Sequence, residues 1–317
     1  MKKIISIGAF ILLTYFNATA QFKIVGYIPN FSTPAMVEFV DQFDFSKLTH
    51  VNVAFFNPDV NGIFPKEKGI GVDKIVAKAH EKNVKVLLSL AGGSDQSQYT
   101  TLLMPENRTA FIAKIMDLLA LYKADGIDVD LEGKNIDKNY EAFVTELSAQ
   151  LKAKGKLITG AVAWWTRSRI TDACLKAYDF INIMSYGGNA QLHASPAYAK
   201  QHIDYWKEER GMPANKLVLG TAFYGRYDLE DKKFVTIKYK DLLEQYPGSA
   251  LLDSLVRSED GRVIKYNGVN GTKARTKVAL AECGGIMIWQ LMQDSNGANS
   301  LLKAINDQVK ETKAAKK

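Results

Sequence analysis

The chain has 317 residues, 47% of them hydrophobic, which is enough to form the core of one large domain or two small ones. The formal net charge is +7, but lysine and arginine are spread along the chain rather than clustered, so the composition does not indicate nucleic-acid binding. No apolar run reaches the roughly 18 residues that a membrane-spanning helix needs, and no membrane span is predicted.

The amino terminus has the pattern of an export signal. Two lysines precede an apolar run over residues 4–16, and the sequence Ala18-Thr19-Ala20 offers a small-residue cleavage site. Residues 1–20 are therefore expected to be removed, and the mature chain is expected to be periplasmic or secreted. No cysteine follows the cleavage site, so a lipid anchor has no attachment point there.

After this signal, short apolar runs alternate with amphipathic stretches. Strands are predicted at 23–28, 48–56, 84–90, 126–131, 157–163, 180–185, 217–222 and 285–290, and helices at 71–82, 105–122, 137–154, 170–177, 197–210 and 274–283. Eight strands with helical stretches between them predict an α/β fold, a (β/α)8 or TIM barrel. A doubly wound open sheet is the alternative, but no Gly-x-Gly-x-x-Gly turn follows the first strand.

The barrel is expected to occupy residues 21–310 as one catalytic domain of a monomer. The connection at 226–273, between the seventh strand and its helix, is too long for a simple loop and is predicted to be a small insertion beside the active-site cleft. The lysine-rich segment 311–317 is predicted to be a disordered tail. Cys174 and Cys283 lie on separate predicted helices, and two unpaired thiols are favoured over a disulfide.

The fourth predicted strand carries three acids on one face. Its alternation places apolar side chains at 127, 129 and 131 opposite Asp128, Asp130 and Glu132. A solvent-edge strand could carry such a wet face, but this strand lies among runs typical of buried parallel strands. Burying an ionised carboxylate without a partner costs several kcal/mol, so three in line indicate an acid/base site.

These residues resemble the signature of a known enzyme family. The segment Asp125-Gly-Ile-Asp128-Val-Asp130-Leu-Glu132 is similar to the Asp-Gly-x-Asp-x-Asp-x-Glu motif of glycoside hydrolase family 18, the chitinases and endo-β-N-acetylglucosaminidases. Other family motifs are matched in the same order by residues 85–93, by Met184-Ser185-Tyr186, by Phe223-Tyr224-Gly225-Arg226 and by residues 285–289. The resemblance covers residues 22–305.

The resemblance implies a retaining glycoside hydrolase in which the 2-acetamido oxygen of the substrate is the nucleophile. Glu132 would protonate the glycosidic oxygen and later activate water. Asp130 would hold the acetamido N–H, and Asp128 would share a proton or a hydrogen bond with Asp130. The crowding of these acids is expected to raise their pKa values. Tyr186 would donate its hydroxyl to the acetamido oxygen, unless it is simply a buried tyrosine.

Other side chains are expected to bind the sugar. Trp289 would form the floor under the reacting ring, although ordinary barrel core is the alternative, and Met184 would form a wall. Tyr27, Tyr224 and Arg226 are expected to line the cleft. Trp164 and Trp165 are adjacent, so one of them is expected to face the cleft and the other a helix. No metal or cofactor is expected, because the four histidines lack metal-site spacing and no phosphate loop is evident.

Three departures from the family pattern bear on the substrate. Ala91 replaces a glycine of the third-strand motif, and Gly187 stands where the family commonly has aspartate. Leu131 and Gly133 replace the aromatic residues that flank the glutamate in many chitinases. A chitinase-like enzyme acting on N-acetylglucosamine oligo- or polysaccharides is ranked first. An endo-β-N-acetylglucosaminidase acting on the chitobiose core of N-glycans comes second, and a carbohydrate-binding barrel without catalysis third, because Glu132 is present.

Overall fold

The computed structural model describes residues 21–231 and 233–315, so the export signal predicted at 1–20 lies outside the described residues. Within them the strands are β1 (Lys23–Pro29), β2 (His50–Ala54), β3 (Lys85–Ala91), β4 (Gly126–Asp130), β5 (Leu157–Val162), β6 (Phe180–Ile183), β7 (Leu217–Ala222), β8 (Tyr224–Asp228), β9 (Phe234–Lys238), β10 (Ser254–Val256), β11 (Val263–Lys265) and β12 (Gly285–Trp289). The helices are α1 (Thr33–Gln42), α2 (Val72–His80), α3 (Gln98–Leu102), α4 (Pro105–Tyr122), α5 (Tyr140–Ala153), α6 (Asp172–Ala177), α7 (Pro196–Asp204), α8 (Tyr239–Gln245), α9 (Val269–Glu282) and α10 (Leu301–Ala314).

Eight of these strands close into a barrel. Their order around it is β1-β12-β7-β6-β5-β4-β3-β2, and every neighbouring pair is parallel. Helices on the outside cover the sheet, so the strands are buried on both faces. The predicted (β/α)8 barrel is confirmed. Its strands all end with their carboxyl termini at the same rim, where TIM-barrel sites lie.

The connection between β7 and α9 carries a second, small sheet. Its strand order is β10-β11-β8-β9, and all its neighbours are antiparallel. Exposure alternates along β9, as it does when one face of a strand packs and the other meets solvent. The fold therefore has the predicted insertion between its seventh barrel strand and the following helix. One of its aromatic residues, Phe234, reaches the cleft described below.

Helix boundaries follow local chemistry. Pro105 begins α4 with a φ angle already suited to a helix, and Lys123 ends it in the left-handed conformation, with φ 54°. Ser300 begins α10 because its hydroxyl accepts a hydrogen bond from the backbone N–H of Lys303 at 3.1 Å. Because α10 continues to Ala314, the tail predicted from residue 311 is wrong over 311–314.

Other sequence expectations can be compared with the same residues. Helices α1 and α10 were not predicted, whereas α7 runs into a π-helical turn at Tyr205–Glu209 within a predicted helix. Cys174 and Cys283 are both free. No helix in the described ranges is both long enough and apolar enough to cross a membrane.

Candidate active site

The three acids of the fourth strand lie inside the barrel or at its rim. Asp128 and Asp130 belong to β4, with 0% and 4% of their surface exposed, and Glu132 follows the strand end half-buried. The alternate residues Ile127 and Val129 pack outward in the main core, as the alternation predicts. The carboxylates therefore lie in order from the barrel interior to its carboxyl-terminal rim.

Asp128 is the deepest acid and the best satisfied. It accepts hydrogen bonds from Tyr27 Oη at 2.7 Å, Ser89 Oγ at 2.7 Å, Thr159 Oγ1 at 2.6 Å and Asn182 Nδ2 at 3.1 Å. Burial raises the pKa of Asp128, and these four donors limit the rise. Its donors come from four other barrel strands, so this carboxyl group ties the interior of the barrel together.

Asp130 has the opposite environment. Its Oδ1 is buried and has no hydrogen-bond partner among the described residues. Burial, followed by the nearby charges of Glu132 and Asp128, holds the pKa of Asp130 well above its usual range. A buried carboxyl group with a free oxygen facing a cavity is suited to bind a donor on a ligand.

Glu132 is held at the rim by two neighbours. Trp165 donates its indole N–H to Oε2 of Glu132 at 3.1 Å. On the other side, a Cβ built on Gly93 would lie 3.2 Å from Oε1, so the glycine lets the third-strand backbone approach the acid. Burial raises the pKa of Glu132, and the bond from Trp165 opposes that rise. A raised pKa suits a carboxyl group that must carry a proton near neutral pH.

The tryptophan pair after β5 points in opposite directions, as predicted. Trp165 faces the cleft and is 52% exposed. Trp164 packs on the other side against His202 and Tyr205, with the Arg167 guanidinium 3.7 Å from its ring centre. Trp165 therefore belongs to the site, and Trp164 to the packing between elements.

A cavity of about 430 Å³ opens beside these acids at the barrel rim. The residues predicted for the site that line it are Tyr27, Asp130, Glu132, Met184, Tyr186, Tyr224, Arg226 and Trp289. Asp128 alone of the predicted set lies beneath the cavity rather than in its wall. The sequence did not predict that Phe55, Phe234 and Met287 also line it.

Aromatic rings form the floor of the cavity. Trp289 meets Tyr27 edge to face, with ring centres 5.5 Å apart, and stacks on Phe55 at 5.6 Å. Phe55 directly follows β2, and its position at the end of a predicted strand is the signal that could have identified it. Flat aromatic faces suit the apolar C–H face of a pyranose ring.

Tyr186 brings a hydroxyl group to the same cavity. Among the described residues, the hydrogen-bond partner of this hydroxyl is the Met287 Sδ at 3.9 Å, a weak acceptor that leaves the hydroxyl free to donate to a ligand. Burial, followed by the influence of Tyr224 and Asp130, raises the pKa of Tyr186 well above its usual range. The hydroxyl therefore stays protonated at neutral pH and can act as a donor.

Arg226 is held at the cleft wall by groups from the insertion. Its Nε donates to Asp228 Oδ1 at 2.9 Å, and its guanidinium lies 3.9 Å from the ring centre of Phe234. Gly187, which replaces the usual aspartate, has a φ of 82°, and a Cβ built there would meet nothing within 4 Å. The carboxylate partner of Arg226 thus lies two residues along the same strand, β8, and the space beside Tyr186 is open.

Ala91 adopts a conformation that favours glycine. Its φ is 70°, which costs an alanine about 1 kcal/mol or more. The amide of Asn57 holds it, because Oδ1 accepts from the Ala91 N–H at 2.7 Å and Nδ2 donates to the Ala91 carbonyl at 2.9 Å. Ala91 therefore adopts the backbone conformation that the glycine of the family motif would favour, at the cost of local strain.

The site brings together a carboxyl group with a raised pKa, a second acid with a free buried oxygen, a tyrosine hydroxyl and an aromatic floor within one cavity. No group of three or more histidine, cysteine, aspartate or glutamate side chains in the described ranges could hold a metal ion. The side chains present suit acid/base chemistry on a sugar.

Comparisons with known proteins agree with this chemistry. The model of the glycosyl hydrolases family 18 matches residues 23–294. The structure of the GH18 chitinase ChiB from Flavobacterium johnsoniae is similar over 93% of this chain and 96% of that chain, with 32% identity and a TM-score of 0.83. A chitinase from Bacteroides thetaiotaomicron is similar over 91% and 96%, with 26% identity and a TM-score of 0.77.

Curated relatives match over a smaller part of their length. A chitinase-like effector of Moniliophthora roreri is 34% identical over 217 residues, which cover 57% of this chain and 53% of the relative. Chitotriosidase-1 of Mus musculus is 28% identical over 251 residues, which cover 64% and 53%. The chain therefore spans about half the length of these curated relatives.

Proposed function

Because the chain belongs to the glycosyl hydrolases of family 18, we propose that it hydrolyses β-1,4-linked N-acetylglucosamine chains by substrate-assisted retaining catalysis. The observation that carries this proposal is that the hydrogen bonding of the three acids changes along β4 and just beyond it. Asp128 has four hydrogen-bond donors, Asp130 has a free buried oxygen, and Glu132 reaches the cavity with a raised pKa. A strand whose acids served only stability would satisfy all of them.

In the first step, Glu132 gives its proton to the glycosidic oxygen. The bond between C1 and that oxygen breaks as the 2-acetamido oxygen of the same sugar attacks C1, and an oxazolinium ion forms. The raised pKa of Glu132 keeps the proton available near neutral pH. In the second step, Glu132 as a carboxylate takes a proton from water while the water oxygen attacks C1. The bond between C1 and the acetamido oxygen breaks, which opens the oxazolinium ring and restores the 2-acetamido group.

Asp130 and Tyr186 would orient the acetamido group for this attack. The free oxygen of Asp130 accepts the acetamido N–H, and the Tyr186 hydroxyl donates to the acetamido oxygen. As positive charge develops on the oxazolinium ring, the Asp130 carboxylate stabilises it. Asp128, which its four donors hold in place, would keep the barrel interior rigid beneath Asp130 and add negative potential.

The remaining cavity residues would bind the sugar. Trp289 lies at the floor, where its ring suits the apolar face of the reacting sugar. Met184, Tyr27 and Tyr224 form the walls, and Arg226 offers a cationic donor at the insertion side. We further propose that the chain acts outside the cytoplasm, as a monomer, after removal of residues 1–20.

A second substrate, the chitobiose core of N-glycans, is favoured by one observation. Gly187 leaves open space beside Tyr186 where a side chain would narrow the cavity. Such space suits a glycan that carries substituents which a linear chain lacks. The linear chain remains the first proposal, because the aromatic floor and the similarity to two chitinase structures, at 32% and 26% identity, favour chitin-type oligosaccharides.

The decisive experiment offers both substrates separately to the purified protein. We expect mass spectrometry to show shortened N-acetylglucosamine oligomers from chito-oligosaccharides and no release from a high-mannose glycoprotein. Release of glycan with one N-acetylglucosamine left on the protein would favour the second substrate. Binding of either one without cleavage would favour the carbohydrate-binding alternative. Ready hydrolysis of plain β-glucosides would contradict the substrate-assisted mechanism, because these sugars lack the 2-acetamido group.

A further inference from the structure

A buried arginine joins two strand ends behind the cavity. Arg275 lies on α9 and is only 5% exposed. Its Nε donates to the Gly220 carbonyl at 2.8 Å, and its Nη2 donates to the Ser185 carbonyl at 2.6 Å and to Ser185 Oγ at 2.5 Å. Ser185 Oγ in turn donates to the Gly220 carbonyl at 3.0 Å. One guanidinium therefore fixes β7 to the segment that follows β6.

These bonds lie where the regular pairing of the two strands has ended. The last residues in register between β6 and β7 are Ile183 and Leu219. Ser185 and Gly220 come after this pair, so the arginine side chain supplies hydrogen bonds in place of further strand pairing. Ser185, which Arg275 holds through these bonds, directly precedes Tyr186.

Gly220 is also the surface on which the Tyr186 ring rests. A Cβ built on Gly220 would lie 2.9 Å from Cε1 of Tyr186, so the ring packs directly against this glycine. Arg275 thus holds both the backbone that precedes Tyr186 and the glycine beneath its ring. A shift of either one would move the Tyr186 hydroxyl in the cavity.

Arg275 does not owe its burial to an ion pair. Arg275 forms no ion pair among the described residues, and its hydrogen bonds go to Ser185 and Gly220. Burial lowers the pKa of Arg275 to about 10, so the guanidinium remains charged at neutral pH. A buried cation without an acid partner is costly, which suggests that its bonds to these acceptors serve the site.

We propose that Arg275 is a positioning residue that holds the hydroxyl of Tyr186 where the acetamido oxygen of the substrate must lie. This inference rests on the proposed function, because it assumes that Tyr186 contacts the acetamido group. Arg275 itself does not line the catalytic cavity and acts only through Ser185 and Gly220.

The test is a double-mutant cycle on hydrolysis of chito-oligosaccharides. The variants are Arg275→Met, Tyr186→Phe and the double variant. Loss of a preorganised donor costs about 10²-fold in kcat, so we expect this loss for Tyr186→Phe. Misplacement of a catalytic group costs up to about 10²-fold, so Arg275→Met should lower kcat by about tenfold or more with a smaller change in KM. In the Tyr186→Phe background, Arg275→Met should cost less than about threefold.

Arg210→Met is the matched control. Arg210 also donates to backbone carbonyls, those of Ile170 and Arg167, but it does not line the catalytic cavity. Its loss should lower the melting temperature without a comparable loss in kcat. If Arg275→Met does not fold, Arg275→Lys takes its place, because lysine keeps the charge but cannot bridge the acceptors as a planar fork does.

The outcomes separate the two proposals. If Arg275→Met costs the same factor with and without the Tyr186 hydroxyl, Arg275 does not act through Tyr186 and the inference is overturned, while the proposed function stands. If Tyr186→Phe keeps nearly full activity, the role assigned to Tyr186 is wrong and the inference fails with it. A small residual cost of Arg275→Met beside a large loss in Tyr186→Phe supports both.

Discussion

The two ends of β4 use the same kind of side chain in opposite ways. Asp125, just before the strand, accepts hydrogen bonds from the Val86 N–H at 2.8 Å, from Lys85 Nζ at 3.0 Å and from His80 Nε2 at 2.7 Å. Burial alone would raise the pKa of Asp125, but these bonds outweigh it and lower the pKa. This carboxylate is therefore stable as an anion.

At the other end, Asp130 and Glu132 form no ion pair among the described residues, and the pKa of each is raised. Because β4 has only five residues, the environment of the acids changes from paired to unpaired along a single short strand. At the amino-terminal end of the strand the carboxylate is paired and its pKa is lowered, whereas at the carboxyl-terminal end the acids lack cationic partners and have raised pKa values, as the proposed chemistry requires. Variants at the two ends should therefore affect different quantities.

The largest effect is expected at Glu132. Glu132→Gln keeps the size of the side chain but removes the proton that it transfers. Because Glu132 is proposed to act as both acid and base, hydrolysis should fall by about 10³-fold or more, as steady-state kinetics on chito-oligosaccharides would measure. Glycan affinity, measured by calorimetry, should be retained, because Trp289 and Asp130 still hold the sugar.

Glu146→Gln is a matched control for this change. Glu146 lies on α5 and does not line the cavity, and Arg108 Nε donates to its Oε2 at 2.9 Å. Its variant should keep the wild-type kcat. Retention of more than about a tenth of the activity by Glu132→Gln would rule out Glu132 as the proton donor.

Asp130→Asn should separate activity from stability. Loss of its charge should lower kcat by about 10²-fold, because the developing oxazolinium ion loses its anionic partner. Replacing a paired acid lowers the free energy of unfolding at neutral pH, whereas replacing Asp130 should raise it or leave it unchanged. Since the folded state raises the pKa of Asp130, the protein loses stability as pH rises from the unfolded pKa of about 3.9 toward the folded pKa.

The amide cannot ionise, so Asp130→Asn should have a melting temperature at pH 7 no lower than that of the wild type. Differential scanning calorimetry at pH 4 and pH 7 would measure the difference, which should favour the variant more at pH 7. A variant that is both inactive and less stable by several degrees at pH 7 would show that Asp130 serves the fold as well as the site.

Trp165→Phe should have a smaller effect on rate and a visible effect on the pH profile. The indole N–H bond lowers the pKa of Glu132, so its loss should raise that pKa further. Because a general acid with a higher pKa stays protonated to higher pH, the alkaline limb of the pH profile of kcat/KM should shift to higher pH. The value of kcat/KM at neutral pH should fall by less than about tenfold, as expected for one hydrogen bond.

Trp164→Phe is the control, because Trp164 has no bond to Glu132. Its pH profile should coincide with that of the wild type. If the alkaline limb of the Trp165→Phe profile shifts to lower pH, the indole does not stabilise the carboxylate form of Glu132.

Much of this comparison could be predicted from the sequence. The alternation of acids with Ile127 and Val129 identified the inward face of β4, because side chains of a strand alternate between its faces. The order of apolar runs predicted the barrel, since eight strands separated by helices have few other arrangements. The acid role expected of Glu132 came from the resemblance of this segment to the signature of glycoside hydrolase family 18, in which Glu132 is the last residue.

The partners of these acids could not be predicted in the same way. Ser89 and Thr159 reach Asp128 only because β3 and β5 pair with β4 in one particular register. Alternation placed Trp164 and Trp165 on opposite sides, but which of them faces the cleft depends on how the chain turns after β5. Phe234 enters the cleft because of the shape of the insertion, for which the sequence predicted only its position between the seventh strand and the following helix.

The smallest effect on activity is expected at Asp125. Asp125→Asn keeps an oxygen for the Val86 N–H but loses the charge that pairs with Lys85 and that strengthens the hydrogen bond with His80, so stability should fall by about 1–2 kcal/mol. The folded state lowers the pKa of Asp125, so the wild-type advantage should be present above the unfolded pKa of about 3.9 and vanish as pH falls through the folded pKa. Chemical denaturation at pH 7 and pH 3 would measure this difference in the free energy of unfolding.

Because no atom of Asp125 reaches the cavity, kcat of Asp125→Asn should stay within about twofold of wild type, a difference of about 0.4 kcal/mol. A tenfold loss of kcat in a stably folded variant would show that the two ends of β4 are coupled, and their separation into a stabilising end and a reactive end would fail.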